Sequence, residues 1–109
     1  MKAHFKFQIH TMAFINELIG GQVIDKVGNL VDLKADCAGK TIGLYFSANW
    51  CPPCRKFTPE LSMFYKNYNK SKNFEIIFVS ADRTQKSFAD YYNSMPWLAL
   101  EYKYNKKMV

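Results

Sequence analysis

The sequence predicts a single α/β domain in which buried strands alternate with amphipathic helices. Its 109 residues are enough for one core and not for two. Hydrophobic residues make up 49% of the chain and aromatic residues 17%, which is typical of a packed domain and excludes a disordered chain. The second half runs strand, helix, strand, helix, an order that favours parallel strands joined by helical crossovers.

Residues 1–11 are interpreted as an N-terminal extension to a domain at residues 12–109. Apolar and polar residues alternate over residues 5–9, which is the pattern of a half-buried strand, and an unstructured tail is the alternative. His4 and His10 lie in this segment, but no cysteine or carboxylate stands near them at metal-ligand spacing. No metal site is therefore expected.

A short helix and a turn are predicted before the centre of the chain. The helix covers residues 12–19 and is ended by a pair of glycines. Two extended runs, residues 22–27 and 30–33, flank a Gly-Asn turn. Cys37 stands alone among small residues and is interpreted as a buried small hydrophobe.

The central strand and the helix after it carry the clearest patterns. Thr41–Ser47 has apolar residues on both faces, as a central strand requires. The helix predicted over Pro52–Tyr68 contains Pro59, which should bend it without ending it. Apolar residues recur at helical spacing and predict an inner stripe of Phe57, Leu61, Phe64 and Tyr68.

Residues 75–79 predict a second buried strand, parallel to the first. Asp82 is expected to cap a helix over residues 83–95, with Gln85 completing a capping box. Pro96 should stop this helix. Its predicted inner stripe is Phe88, Tyr91, Tyr92 and Met95.

The formal net charge is +6, and the lysines are scattered rather than collected in a basic arm. This charge favours acidic partners, and without a reader motif no nucleic-acid binding is expected. No apolar stretch reaches the roughly 18 residues of a membrane span, and the N-terminus lacks the apolar core of a secretory signal. Three cysteines, only two of them closely spaced, favour a reducing compartment, the cytoplasm or the nucleus.

A Cys-x-x-Cys motif, Cys51 and Cys54, stands where the first buried strand ends and its helix begins. The unpaired N–H groups and positive dipole end of a helix stabilise an anion, so Cys51 is predicted to have a lowered thiol pKa. We expect Cys51, the more exposed thiol, to be the catalytic nucleophile and Cys54 to resolve the mixed disulfide that it forms. No cofactor is expected.

The neighbours of the two cysteines are expected to support them. Pro52 and Pro53 pre-set the helical turn but carry no N–H, so the pKa of Cys51 should be lowered only moderately. Trp50 can shield the thiolate and contact substrates, and Arg55 is a solvated cation beside the site. Half of a zinc site, or an iron–sulfur cluster shared between two chains, fits less well because no second Cys or His pair is present. A purely structural disulfide also fits less well, because so short a loop constrains the unfolded chain little.

The motif and its flanks resemble one known family. The similarity to the tryparedoxin and nucleoredoxin branch of the thioredoxin superfamily is carried by residues 45–55, 57–59, 73–83 and 95–100. Ala81 stands where tryparedoxins usually place tryptophan, which makes nucleoredoxin the nearer relative. The resemblance implies a thioredoxin-like fold and a thiol–disulfide oxidoreductase that reduces protein disulfides and is itself reduced by an upstream dithiol or reductase.

The resemblance also points to two departures. Tyr45 stands where thioredoxins bury an acidic residue. The cis-proline of the fold, with the strands and helix after it, has no counterpart before Val109, so only the part through the third helix is expected. This truncation favours an alternative function, a binding or signalling module with little turnover. It also predicts an open edge on Thr41–Ser47, covered by a second copy in a homodimer or by residues 5–9.

Overall fold

The computed structural model describes residues 6–10 and 22–107, with side chains over residues 22–104. Its elements are β1 (Lys6–His10), β2 (Val23–Ile24), α1 (Leu33–Asp36), β3 (Thr41–Ser47), α2 (Pro52–Tyr68), β4 (Phe74–Ser80), α3 (Gln85–Tyr92), β5 (Leu98–Leu100) and a 3-10 helix (Tyr102–Lys107). Within this part of the chain one five-stranded sheet has the order β1-β3-β4-β5-β2. The helix predicted over residues 12–19, and the domain boundary after residue 11, lie outside the described residues. No helix among the described residues is long and apolar enough to cross a membrane.

β3 and β4 form the parallel centre of the sheet. They pair in register from Thr41 opposite Phe74 to Ser47 opposite Ser80, and α2 provides the crossover between them. All but the first residue of each strand is buried, which is why both strands are apolar on both faces. The predicted bounds of β3 are confirmed, and β4 is one residue longer at each end than predicted.

Two apolar clusters cover the opposite faces of the sheet, as the alternation of side chains along β3 and β4 requires. One cluster includes Val23, Leu33, Cys37, Ile42, Leu44, Phe46, Ile77 and Val79. The other, beneath α2 and α3, includes Tyr45, Leu61, Ile76, Phe78, Phe88, Tyr91, Tyr92 and Trp97. Cys37 is buried, as predicted from its small neighbours.

The helix α2 has the predicted bounds, and Pro59 lies inside it. Its inner face differs from the predicted stripe, because Phe64 is 50% and Tyr68 43% exposed. The residues that α2 buries are Cys54, Thr58, Leu61 and Ser62. The aromatic rings at the far end instead pack along the rim, where Phe64 stacks on Phe74 with ring centroids 5.5 Å apart. Small residues thus allow α2 to lie close to the sheet.

The helix α3 is shorter than predicted. It covers Gln85–Tyr92 and is capped by Thr84, whose hydroxyl accepts the Ser87 N–H at 3.1 Å. The predicted cap by Asp82 is wrong, because Thr84 is the N-cap and the Asp82 carboxylate accepts the Asn49 N–H and the Ser80 and Ser87 hydroxyls instead. The predicted inner stripe is confirmed, since Phe88, Tyr91, Tyr92 and Met95 are all buried.

The first strand fills the sheet edge that was expected to stand open. β1 runs antiparallel to β3 in the same chain, from Lys6 opposite Phe46 to His10 opposite Ile42. This confirms a strand in the alternating segment and its predicted pairing along the open edge of β3, so cover by a second copy is not needed there. The argument for a homodimer through that edge no longer applies. β5, a short strand parallel to β4, was not predicted.

Deletion of residues 1–10 should expose the backbone of β3 and destabilise the domain, because the whole β1–β3 ladder is lost. We expect urea denaturation to show a loss of about 2 kcal/mol or more, and light scattering to report larger species than those of the full chain. Deletion of residues 1–5, which retains β1, is the control. A chain without residues 1–10 that keeps both the stability and the association state of the full chain would contradict the role of β1.

Candidate active site

The carboxyl ends of β3 and β4 meet at one edge of the sheet, and the loop that carries Cys51 leaves from this edge. Ser47 and Ser80 are paired there, and the Ala81 N–H donates to the Ser47 carbonyl at 2.9 Å. The parallel pairing therefore brings the residues after β4 beside the residues that precede Cys51.

Asp82 fastens the loop before Cys51 to the end of β4. This buried carboxylate accepts the Asn49 N–H at 2.8 Å, the Ser80 hydroxyl at 2.7 Å and the Ser87 hydroxyl at 3.1 Å. Its role was not predicted. The available signal was the position of an acidic residue directly after a strand that runs parallel to the cysteine-bearing strand.

Trp50 is held in place beside the cysteines. Its indole N–H donates to the Ala81 carbonyl at 3.1 Å, and the Arg83 guanidinium carbon lies 5.4 Å from the ring centroid. The cation and the ring attract each other through the ring's negative face. These contacts fix a half-buried aromatic surface immediately before Cys51.

Cys51 and Cys54 are joined by a disulfide, with their Cα atoms 5.2 Å apart. Cys51 is the N-cap of α2, and its carbonyl accepts the Arg55 N–H at 3.1 Å. Both cysteines are fully buried, so the expectation that Cys51 is the more exposed one is wrong for this oxidised form. Neither residue is therefore exposed to solvent while the disulfide is in place.

The first turn of α2 carries no negative charge. Pro52 and Pro53 carry no N–H, so the first helical N–H belongs to Cys54. No acidic residue lies in this turn, and the exposed Arg55 and Lys56 follow the pair directly. Cations are unfavourable at the positive end of a helix but stabilise a thiolate there. This charge pattern does not stabilise the helix, but it is compatible with a thiolate at its N-terminus.

A buried cluster of hydroxyl groups lies beneath Cys54. The Thr58 hydroxyl is within 2.8 Å of the Tyr45 hydroxyl, within 2.7 Å of the Tyr91 hydroxyl and 2.9 Å from the Cys54 carbonyl. The Tyr91 hydroxyl also lies 2.8 Å from the Ser47 hydroxyl. Thr58 is therefore the centre that connects α2 to β3 and α3.

Burial raises the pKa of Tyr91 to about 12, which further disfavours the charged form of this hydroxyl. Tyr45 occupies the position at which thioredoxins bury an acid. Hydroxyl groups thus stand in for a carboxylate beneath the cysteine pair. Thr58 and Tyr91 were not predicted to belong to the site, because only the tertiary structure brings them together.

Cys37 is separated from this site. It belongs to the apolar cluster on the opposite face of the sheet from α2. Burial, reinforced by the nearby carboxylate of Glu75, raises the pKa of the Cys37 thiol and so disfavours its reactive thiolate form. Among the described residues, no three His, Cys, Asp or Glu side chains cluster as a metal ion would need.

The substitution Thr58→Val should leave the Tyr45 and Tyr91 hydroxyls each without one hydrogen-bond partner in the core. We expect urea unfolding to show a loss of about 2 kcal/mol, because Val is isosteric but polar groups are left unpaired. Thr58→Ser retains the central oxygen and should lose only the burial of one methyl group, about 0.8 kcal/mol. A Thr58→Val protein as stable as Thr58→Ser would contradict the importance of the cluster.

Comparison with known proteins places these features in a family. Residues 39–109 match the family model described as Thioredoxin-like. The chain is 46% identical over 101 residues to probable nucleoredoxin 1 of Arabidopsis thaliana, covering 89% of this chain and 17% of that protein. It is 56% identical over 64 residues to tryparedoxin of Trypanosoma brucei brucei, covering 59% of this chain and 44% of that protein. The chain thus spans less than half the length of either relative.

Solved structures agree with the sequence comparison. Tryparedoxin II from C. fasciculata superposes with a TM-score of 0.82 at 43% identity, covering 90% of this chain and 66% of that chain. Tryparedoxin from Trypanosoma brucei gives a TM-score of 0.78 at 43% identity, covering 85% of this chain and 65% of that chain. The predicted resemblance to tryparedoxins and nucleoredoxins is confirmed, and so is the thioredoxin-like fold. The chain belongs to the Thioredoxin-like family.

Proposed function

We propose that this chain is a thiol–disulfide oxidoreductase that reduces disulfides in proteins through Cys51 and Cys54. The observation that carries the proposal is a disulfide between these two residues at the N-terminus of the helix that follows the central parallel strand. This placement combines a stabilised thiolate with a second thiol one turn away.

The reaction transfers two electrons and two protons from the dithiol to the substrate. The Cys51 thiol first loses its proton to solvent, and the thiolate attacks one sulfur of the substrate disulfide. This forms a mixed disulfide and releases the first substrate sulfur as a thiolate, which takes up a proton. The Cys54 thiol then gives up its proton and attacks the Cys51 sulfur, which releases the second substrate thiol and forms the Cys51–Cys54 disulfide. An upstream dithiol or reductase must supply two electrons to restore the reduced form.

The neighbouring residues support these steps. Trp50, fixed by Ala81 and Arg83, provides an apolar surface for the substrate next to Cys51. Pro52 and Pro53 hold the turn between the two thiols. Arg55, exposed and directly after Cys54, adds positive charge that favours the thiolate.

Thiol–disulfide exchange indicates the classes of substrate and electron donor. A solved tryparedoxin II structure, 44% identical to this chain, is complexed with glutathionylspermidine. Small thiols of that type, of which two molecules supply two electrons, are one suitable class of upstream donor, a dithiol or a reductase is another, and disulfide-bearing proteins are the proposed acceptors. The odd number of cysteines and the buried, unpaired Cys37 fit a reducing compartment, the cytoplasm or the nucleus. A homodimer stays a prediction.

One observation favours the alternative of a binding or signalling module with little turnover. Both cysteines are fully buried in the oxidised form, so a donor reaches them only after local movement. Slow re-reduction would leave a disulfide that records redox state rather than an enzyme that turns over. Turnover measurements separate these two functions.

We expect the chain to accelerate the reduction of insulin by dithiothreitol, followed by the turbidity of the released B chain. Cys51→Ser should lower the rate to that of dithiothreitol alone, because the attacking thiol is lost. Cys37→Ser, which removes the thiol on the opposite face, is the matched control and should retain activity. Wild-type protein no faster than dithiothreitol alone would exclude the enzyme and favour the binding module.

A further inference from the structure

A groove with a volume of about 520 Å³ lies between α2 and α3, beside the cysteine pair. It begins at Asn49 and Arg55, which flank the Cys-x-x-Cys motif, and extends along α2 to Lys66. Arg55, Pro59, Ser62 and Lys66 follow one stripe of α2 and form one wall of the groove. Asp90 lies on the opposite wall, from α3.

Ser62 gives this groove an unused hydrogen-bonding group. The side chain is only 8% exposed, and its hydroxyl has no hydrogen-bond partner. A serine inside a helix ordinarily bonds the carbonyl four residues before it, and this one does not. The other hydroxyl groups that line the groove, those of Thr58, Tyr91 and Ser94, are already hydrogen-bonded. The buried Ser62 hydroxyl thus has hydrogen-bonding capacity that a ligand can use once the side chain turns towards the groove.

The charge of the groove selects the ligand. Arg55 and Lys66 are both exposed on its α2 wall, and eleven residues of helix separate them by about 16 Å. The opposing Asp90 carboxylate is already paired with Lys86, 2.9 Å away. The free charge is therefore positive, in agreement with the net charge of +6 of the chain. An extended segment of about five residues would span the two cations.

We infer that this groove binds an acidic, extended segment of the protein substrate next to the disulfide that Cys51 attacks. Carboxylates of the segment pair with Arg55 and Lys66, and Ser62 bonds its backbone or one of its carboxylates. Because the groove starts beside Cys54, a bound segment keeps the substrate disulfide close to the attacking sulfur. The inference rests on the proposed function and specifies its substrate class.

The binding step can be tested without any redox chemistry. A fluorescein-labelled Glu-rich peptide without cysteine is titrated with the oxidised protein, and fluorescence anisotropy is compared with that of the Gln analogue. We expect the acidic peptide to bind more tightly, and Lys66→Glu to weaken it by about two- to fivefold. Lys34→Glu, the same change of charge on α1, should leave the affinity unchanged. Ser62→Leu, which fills the groove, should weaken binding of both peptides.

The catalytic consequence is measured with disulfide peptides that carry the same acidic or neutral flank. The reduced protein should reduce the acidic peptide faster than the neutral one. The ratio of the acidic to the neutral rate should fall in Lys66→Glu but not in Lys34→Glu. An equal affinity for acidic and neutral peptides, or an equal effect of the two lysine variants, would overturn the inference. Failure to reduce hydroxyethyl disulfide, a small uncharged substrate, would instead contradict the proposed function, since that substrate does not need the groove.

Discussion

The parallel register between β3 and β4 is the constraint on which the rest of the site depends. It sets Ser47 opposite Ser80, so the segments that follow the two strands leave the sheet side by side. Asp82 can then hold the backbone of Asn49, and Ala81 can hold the ring of Trp50. A shift of one residue would turn the buried side chains of the shifted strand to the opposite face and separate these partners.

The edge of β3 that pairs with β1 is as important as the edge that pairs with β4. A central strand that is apolar on both faces and unpaired along one side exposes backbone groups that readily pair with another chain. β1 satisfies that side from within the same chain, with Lys6 opposite Phe46 near the end from which the Cys51 loop leaves. The strand that carries the site is thus hydrogen-bonded on both sides, which limits the movement of the loop that follows it.

Beneath the cysteines, the chain uses neutral groups where thioredoxins use an acid. Tyr45, Thr58 and Tyr91 join three elements through hydroxyl groups at 2.7–2.8 Å. A buried carboxylate costs far more desolvation than a hydroxyl and can exchange protons near neutral pH. The hydroxyl cluster therefore supports α2 without placing a carboxylate in the core.

The elements could be predicted from the sequence wherever one residue pattern dominates. Apolar residues on both faces identified β3, and Pro52 marked the start of α2. The inner face of α2 could not be predicted from hydrophobicity, because Thr58 is buried by partners on β3 and α3 rather than by its own apolarity.

The role of Asp82 and the burial of Cys51 depend on tertiary structure and could not be predicted from residue patterns. Asp82 has the local features of a helix cap, and only the neighbouring strand end shows that it holds Asn49 instead. The burial of Cys51 in the disulfide form likewise follows from its bond to Cys54, which the motif allows but does not require.

Trapping of the mixed disulfide tests the central claim, that Cys51 attacks and Cys54 resolves, most directly. The reduced Cys54→Ser protein is mixed with a disulfide-bonded protein, quenched with acid and digested without reductant for mass spectrometry. We expect a stable substrate adduct on Cys51, because the resolving thiol is absent, and no such adduct in the Cys51→Ser protein. An adduct on Cys37, or equal trapping through Cys54 in the Cys51→Ser protein, would contradict this assignment.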